Sequence, residues 1–299
     1  MSDKVDILIL GAGWTSTFLI PLCEQRNLTF AATSRTGRDS TIQFSFDPDS
    51  ENIEPYKSLP NASTVLITFP IEKEGASERL VKLYCGSRNG DDSTQSSSRF
   101  VQLGTTSMWG GTRHNLQSCQ KSEHKWYDRR SPYTSTPRAQ AEDELLRLSP
   151  EHPSTVLNLS GLWGGSRLPK NWVGRVAPSK EALKTKAGLH MIHGMDVARC
   201  ILAVHEDFDK ASGQRWLLTD GRIYDWWDLA SAWGTQPSLE SAEDDRGPQP
   251  QWTKELMQEA GIRILPRNLE LLGRVLDSQE FWTTFKISPL RARLEEREC

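Results

Sequence analysis

The run VDILILGAGWTSTFLIPL, from Val5 to Leu22, limits the fold more than any other feature of the chain. Its first part is apolar and short, the pattern of a buried strand. It breaks at Gly-Ala-Gly. A helical pattern follows, with Phe18, Leu19, Leu22 and Cys23 on one face. A buried strand, a glycine turn and a helix in that order open a doubly wound α/β unit.

A turn of this kind that seats a dinucleotide reads G-x-G-x-x-G. The first glycine permits the tight turn, the second lets a pyrophosphate approach the backbone, and the third lets helix and strand pack closely. Gly11 and Gly13 meet the first two needs, and the small Ser16 takes the third place. The free N–H groups and positive dipole end of the helix would face the pyrophosphate. Trp14 and Thr15 lie at that end, and Thr15 and Ser16 add hydroxyl donors.

The second strand, LTFAATSR, ends in Ser34, Arg35 and Arg38, with no carboxylate before Asp39. A carboxylate there would bind the ribose 2′-hydroxyl of NAD. A hydroxyl and guanidinium groups suit a 2′-phosphate instead, so the expected cofactor is NADP(H). Asp47, after a third strand TIQFSFD, is placed to meet an adenine amino group or to close a turn. Phe69 and Pro70 close the fourth strand, STVLITFP, and join the expected cofactor site.

The alternation continues. EGASERLVKLYC reads as helix, FVQLGTTS as strand, RAQAEDELLRLS as helix and STVLNLSGLWGG as strand, while GSRNGDDSTQSSSR reads as a surface loop. Strands alternating with helices imply a mostly parallel, doubly wound sheet, with ligands at the carboxyl ends of its strands. Beyond about residue 165 the alternation weakens. The expected organisation is a Rossmann core over residues 1–165 and a smaller substrate lobe over 166–299, interleaved with the core.

Composition narrows the partners. The 299 residues carry a formal charge of −3, so no basic excess exists to neutralise a nucleic-acid strand. No apolar run has the length of a membrane span or the layout of a signal peptide. Five cysteines are scattered without a C-x-x-C pair, which fits reduced thiols in a cytoplasmic protein. His190 and His193 have a ligand-like spacing but no third partner, so no metal is expected. Asp196 reads as the cap of a helix starting at Val197. Of Trp226 and Trp227, adjacent at a helix start, only one is expected to face inward.

Several of these stretches together resemble the extended and atypical short-chain dehydrogenases/reductases, over roughly Val5 to Gly234. LHMIHGMDVARCILAVHE is similar to the family's IHVDDVARAI stretch, and GQRWLLTDGRIYDWWDLA to its YNVSDGEPVTWRELA stretch. LGTTSMWGG resembles the fifth-strand motif, and PYTSTPRAQAEDELL the helix that carries Y-x-x-x-K. The resemblance implies an NAD(P)-binding Rossmann domain with a small C-terminal lobe. It also implies hydride transfer to a carbonyl, or transient oxidation during epimerisation or dehydration.

In that family a Tyr exchanges the proton, a Lys four residues on lowers its pKa and holds the ribose, and a strand hydroxyl orients the carbonyl. Thr105 matches the hydroxyl. The pair departs from the pattern. Aligned on AQAE, the Lys position is Arg138 and the Tyr position is Thr134; Tyr133 lies one residue off. The expected catalytic set is therefore Thr105, Tyr133 and Arg138, with Ser107 and His114 as further proton carriers. Ser107, Trp109 and Trp163 are the expected substrate contacts, favouring a flat, apolar or aromatic small molecule. Three readings stay open: an NADP(H)-dependent reductase, a non-redox isomerase or cyclase on the same scaffold, and a cofactor-binding sensor. A homodimeric assembly is also left open.

Overall fold

A computed structural model describes residues 4–88, 98–110, 126–235, 246–291 and 294. The chain order is β1 (Val5–Leu10), α1 (Ser16–Gln25), β2 (Phe30–Ser34), β3 (Ile42–Gln43), α2 (Glu54–Lys57), β4 (Ala62–Ile67), α3 (Ala76–Gly86) and β5 (Arg99–Thr105). It continues with β6 (Trp126–Tyr127), α4 (Pro137–Arg147), β7 (Ser154–Leu159), β8 (Gly161–Trp163), α5 (Val173–Val176), α6 (Lys180–Lys184), β9 (Gly188–Leu189) and β10 (Met191–His193). The remainder is α7 (Gly194–Glu206), β11 (Arg215–Leu218), β12 (Tyr224–Asp225), α8 (Trp226–Trp233), α9 (Gln249–Ala260), β13 (Val275–Leu276) and α10 (Gln279–Thr284).

Seven strands form one sheet in the order β11-β7-β5-β4-β1-β2-β3, with every neighbouring pair parallel. This is the doubly wound arrangement, with the order reversing beside β1. The expected third strand over TIQFSFD shrinks to Ile42–Gln43, at the sheet edge. Strand β1 explains the two layers. Ile7 and Ile9 point into one apolar cluster with Leu19 and Cys23 of α1 and several residues of α7. Leu8 and Leu10 point into the other, with Leu80 and Val81 of α3 and Leu145 of α4. Each of these side chains is fully buried, worth about 1.5–3 kcal/mol apiece.

The α3–α4 layer is locked by a side chain acting as a cap from outside its own helix. Glu144 of α4 accepts from the amides of Gly75 (2.7 Å) and Glu78 (2.7 Å) at the start of α3. No residue of α3 caps that end itself.

The second half of the chain does not stay apart from the first. Helix α7 packs in the α1 layer, and β11 extends the main sheet beside β7. A separate apolar cluster, with Leu183, Trp227 and Leu256 at its centre, holds α6, α8 and α9 together. Arg267 joins this lobe through a buried pair with Asp225 (2.7 Å), its guanidinium lying 4.1 Å from the Trp227 ring centroid. Both Trp226 and Trp227 are buried, 9% and 3% exposed, against the expectation that one would face outward. They are served by different clusters: Trp226 meets Trp163, and Trp227 faces α9.

Asp196 is not the cap of α7. The helix starts three residues earlier than Val197, and His193 caps it by accepting the Met195 amide at Nδ1 (3.0 Å). Asp196 is wholly buried and instead accepts the amides of Leu290 (2.8 Å) and Arg291 (2.9 Å), pinning the C-terminal segment to α7. Nearby, the turn from Asp220 to Arg222 is held from two sides. His190 donates from Nδ1 to the Arg222 carbonyl (2.7 Å) and accepts the Leu276 amide at Nε2 (3.0 Å). Asp220 accepts from the Arg222 amide (3.0 Å) and the Tyr224 hydroxyl (2.6 Å).

Two predictions arise here. Glu144→Ala strips two amides of their acceptor and lowers stability by about 1–2 kcal/mol, read by chemical denaturation. The second concerns opposed titrations. Burial pushes the His190 pKa down to about 4, so its contribution is intact above about 6.5 and is lost as pH falls toward 4. Burial pushes Asp220 up to about 7, so its contribution is intact below about 4 and is lost as pH rises toward 7. Relative to the parent, His190→Gln should therefore show stability falling more steeply with rising pH across that window. Asp220→Asn should show it rising more steeply. Thermal midpoints measured every half pH unit check both signs.

Candidate cofactor and substrate site

Two adjoining cavities open at the carboxyl edge of the sheet and share Gly13, Thr68 and Pro70. The outer one is a groove of about 1000 Å³ that runs from Gly11 past the ends of β2 and β4. The inner one, about 370 Å³, lies between the start of α1, the ends of β5 and β7, and Arg167.

The wall between them is the glycine turn. Gly11 has φ +96°, a left-handed value that a side chain strains against. A Cβ there would also stand 2.6 Å from the Thr68 hydroxyl oxygen. That hydroxyl donates to the Gly11 carbonyl (2.6 Å), while the Gly11 amide donates to the Thr33 hydroxyl (3.0 Å). Gly13 is open: nothing lies within 4 Å of where its Cβ would be.

Helix α1 begins with no side-chain cap and no acidic residue in its first turn. Among the described residues, the amides of Trp14 and Thr15 donate to nothing. Ser16 is buried, and its Oγ has no partner. Open space, two unused N–H donors and a helix N-terminus make a cradle suited to a pyrophosphate. The residues present therefore fit a dinucleotide.

At the far end of the groove, Ser34 braces its loop. Its Oγ lies 2.7 Å from Thr41 Oγ1 and accepts the Arg38 amide at 3.2 Å. Among the described residues Arg35 pairs with no carboxylate. Among the described carboxylates Arg38 has only Asp39, 3.8 Å away in an exposed pair worth under about 1 kcal/mol. Both guanidinium groups line the groove. Phe46 and Phe69 stack with centroids 5.6 Å apart and form an apolar wall. Asp47 does not line the groove. Its carboxylate accepts the Asp49 amide (2.9 Å), so it closes its own turn, and the adenine contact is withdrawn.

The inner cavity is lined by Trp14, Thr15, Thr105, Arg138, Ser160 and Arg167, among others. Thr105 donates to Ser107 Oγ (3.2 Å), which is exposed and lies outside the cavity. Arg138 enters from the first turn of α4. Its Nη2 donates to the Leu103 carbonyl (2.9 Å), and its Nε lies 3.5 Å from Glu142. Behind it lies a buried network: Glu142 accepts from Asn158 (2.6 Å) and Arg215 (2.9 Å), and Arg215 also reaches Asp143 (2.6 Å). Gly104 is required beside this network, since a Cβ there would stand 2.6 Å from Glu142 Oε1.

Besides Asp47 and Ser107, which lies outside the cavity, three expected site residues are corrected. Tyr133 faces away from the cavity, giving its hydroxyl to Asp143 (2.6 Å) and stacking under Arg215. Burial and that bond push its pKa up, the reverse of what a proton-exchanging Tyr needs. Trp109 is fully buried, with its indole N–H on the Ser131 carbonyl (3.0 Å), so it is core. Trp163 is 2% exposed and packs on His193 at 4.6 Å, again behind the cavity. The aromatic wall is Trp14, whose indole N–H donates to the Gly164 carbonyl (3.0 Å). His114 lies outside the described residues.

Arg167 has no motif to announce it. The paired glycines before it are the only signal. Gly164 and Arg167 exchange both backbone hydrogen bonds (2.9 and 3.0 Å), and Gly165 opens the two-residue loop at φ +54°. That hairpin returns Arg167 over Trp14, its guanidinium 4.5 Å from the ring centroid. Among the described residues, no group of three or more His, Cys, Asp or Glu could hold a metal, and no helix is long and apolar enough to cross a membrane.

No family model and no curated protein matches the chain. Solved structures do. A functionally unknown conserved protein from Silicibacter pomeroyi is 14% identical, with 97% of this chain and 95% of that one covered and a TM-score of 0.60. The Thermus thermophilus UDP-glucose 4-epimerase complex with NAD is 11% identical, with 98% and 96% covered and a TM-score of 0.56. A yeast methylglyoxal/isovaleraldehyde reductase complexed with NADPH is 14% identical, with 97% and 96% covered and a TM-score of 0.54. In fold the chain is thus similar to these epimerase and reductase structures, with which it shares a doubly wound parallel sheet flanked by helices.

Proposed function

We propose that the protein is an NADP(H)-dependent oxidoreductase that reduces a carbonyl of a small molecule held in the inner cavity. One observation carries this reading: the groove leads from the open glycine turn to two guanidinium groups, with no carboxylate at the end of β2. The amides of Trp14 and Thr15 receive the pyrophosphate, and Arg35 and Arg38 receive the 2′-phosphate. Phe46 and Phe69 offer the adenine an apolar face. When bound, the dinucleotide supplies the hydride.

The chain's own groups do the rest. Thr105 orients the carbonyl oxygen; when its hydroxyl turns from Ser107 to donate to that oxygen, exposed Ser107 donates to Thr105 in turn and replaces the proton from solvent. Arg138 sits where the family has Lys and places a fixed positive charge in the cavity, which stabilises the developing alkoxide. Glu142 keeps that guanidinium in place.

A second reading rests on a different observation. Among the described residues the inner cavity holds no Tyr, Lys, His or carboxylate. A cofactor-binding sensor that performs no hydride transfer would have such a lining.

Quenching of the eleven tryptophans by added nucleotide tests the binding claim. NADPH should bind at least roughly tenfold more tightly than NADH, and Arg35→Ala with Arg38→Ala should remove that preference while sparing NADH. Equal affinity in the parent would overturn the assignment. Consumption of NADPH at saturating cofactor, followed against a panel of aldehydes and ketones, separates reductase from sensor. For the best substrate, Thr105→Val should lower kcat by roughly a hundredfold.

A further inference from the structure

The inner cavity has an electrostatic bias that its role in carbonyl reduction does not require. Among the described residues no Asp or Glu lines it, and two arginines do. Arg138 is compensated by Glu142. Arg167 is not: it pairs with no carboxylate among the described residues. Although Arg167 is exposed, its position is held. The Gly164–Arg167 hairpin fixes its backbone, and stacking over Trp14 fixes its head group. Trp14 is itself held by its bond to Gly164 and by an edge contact with Phe18 at 5.0 Å. A guanidinium whose position is set before binding loses little entropy when it takes a ligand.

Ser160 adds a second, independent sign. It is 7% exposed, lines the same cavity, and its buried hydroxyl has no hydrogen-bond partner. A buried polar atom without a partner costs free energy unless a ligand satisfies it. Trp14, Leu103, Leu159 and Leu162 make the remaining walls largely apolar. At about 370 Å³ the cavity lies at the small end for ligand sites, and it must also admit the nicotinamide end of the cofactor. A planar monoanion fits that space and the flat fork of Arg167 better than a bulky phosphoryl group does.

We propose that the substrate is a small oxo acid, whose carboxylate is clamped by Arg167 while its carbonyl lies between Thr105 and Ser160. The carboxylate would add a bidentate pair on the rim. The body of the molecule would rest on Trp14 and the leucines. This inference rests on the dinucleotide reading above.

Calorimetry on the full chain saturated with NADP⁺, which cannot deliver a hydride, tests it without turnover. Phenylglyoxylate is compared with its methyl ester and with inorganic phosphate. The acid should bind at least roughly tenfold more tightly than the ester. Arg167→Gln should collapse that ratio toward one, and Arg167→Lys should recover only part of it. Ser160→Ala should weaken acid and ester alike. Equal binding of acid and ester, or an unchanged ratio in Arg167→Gln, overturns the proposal, as does phosphate competing as strongly as the acid. Absence of NADP⁺ binding in the first titration would instead sink the dinucleotide reading, and this inference with it.

Discussion

Two threonines brace the place where β1 leaves the sheet. Gly11 turns through a left-handed conformation, and its amide and carbonyl would be stranded there without partners. Thr33 of β2 accepts the amide, and Thr68 at the end of β4 donates to the carbonyl. A turn held from both neighbouring strands points the start of α1 along the sheet edge. The cradle at Gly13, the groove toward Arg35 and the inner cavity are all laid out from that point. Thr68 therefore serves twice, as a brace for the turn and as part of both cavity walls.

The start of α4 and the strand ends beside it are built around buried charge. Arg138 is bonded to Leu103 and Glu142. Glu142 in turn holds Arg215 and Asn158, and Asp143 holds Arg215 and Tyr133. Two guanidinium groups face two carboxylates, so the cluster is close to neutral. Removing Glu142 or Arg215, the two buried members, would leave a buried charge uncompensated, a loss typically of about 3–5 kcal/mol. The Tyr that sequence places beside the site is thus committed to structure.

The long-range contacts of the second half serve the same end. Asp196 ties the C-terminal segment to α7, and α7 packs on α1. The hairpin at Gly164–Arg167 closes on Trp14, at the start of α1. Elements far apart in the chain converge on one helix. That convergence sets the cavity's shape, and a boundary near residue 165 would cut through it.

By itself the sequence determined the strand, turn and helix at Val5–Gln25, the alternation of strands and helices through Leu159, and, among the residues that line the two cavities, Gly11, Gly13, Trp14 and Thr15 with Arg35 and Arg38. Those depend on periods of two and 3.6 and on glycine's freedom, which are properties of neighbouring residues. Direction was decided only by tertiary structure. Whether Tyr133, Trp109 and Trp163 face a ligand or the core depends on which distant residues pack behind them. Arg167 reaches the cavity, and Asp47 does not, for the same reason: side-chain direction is fixed by contacts across the fold, which no local pattern records.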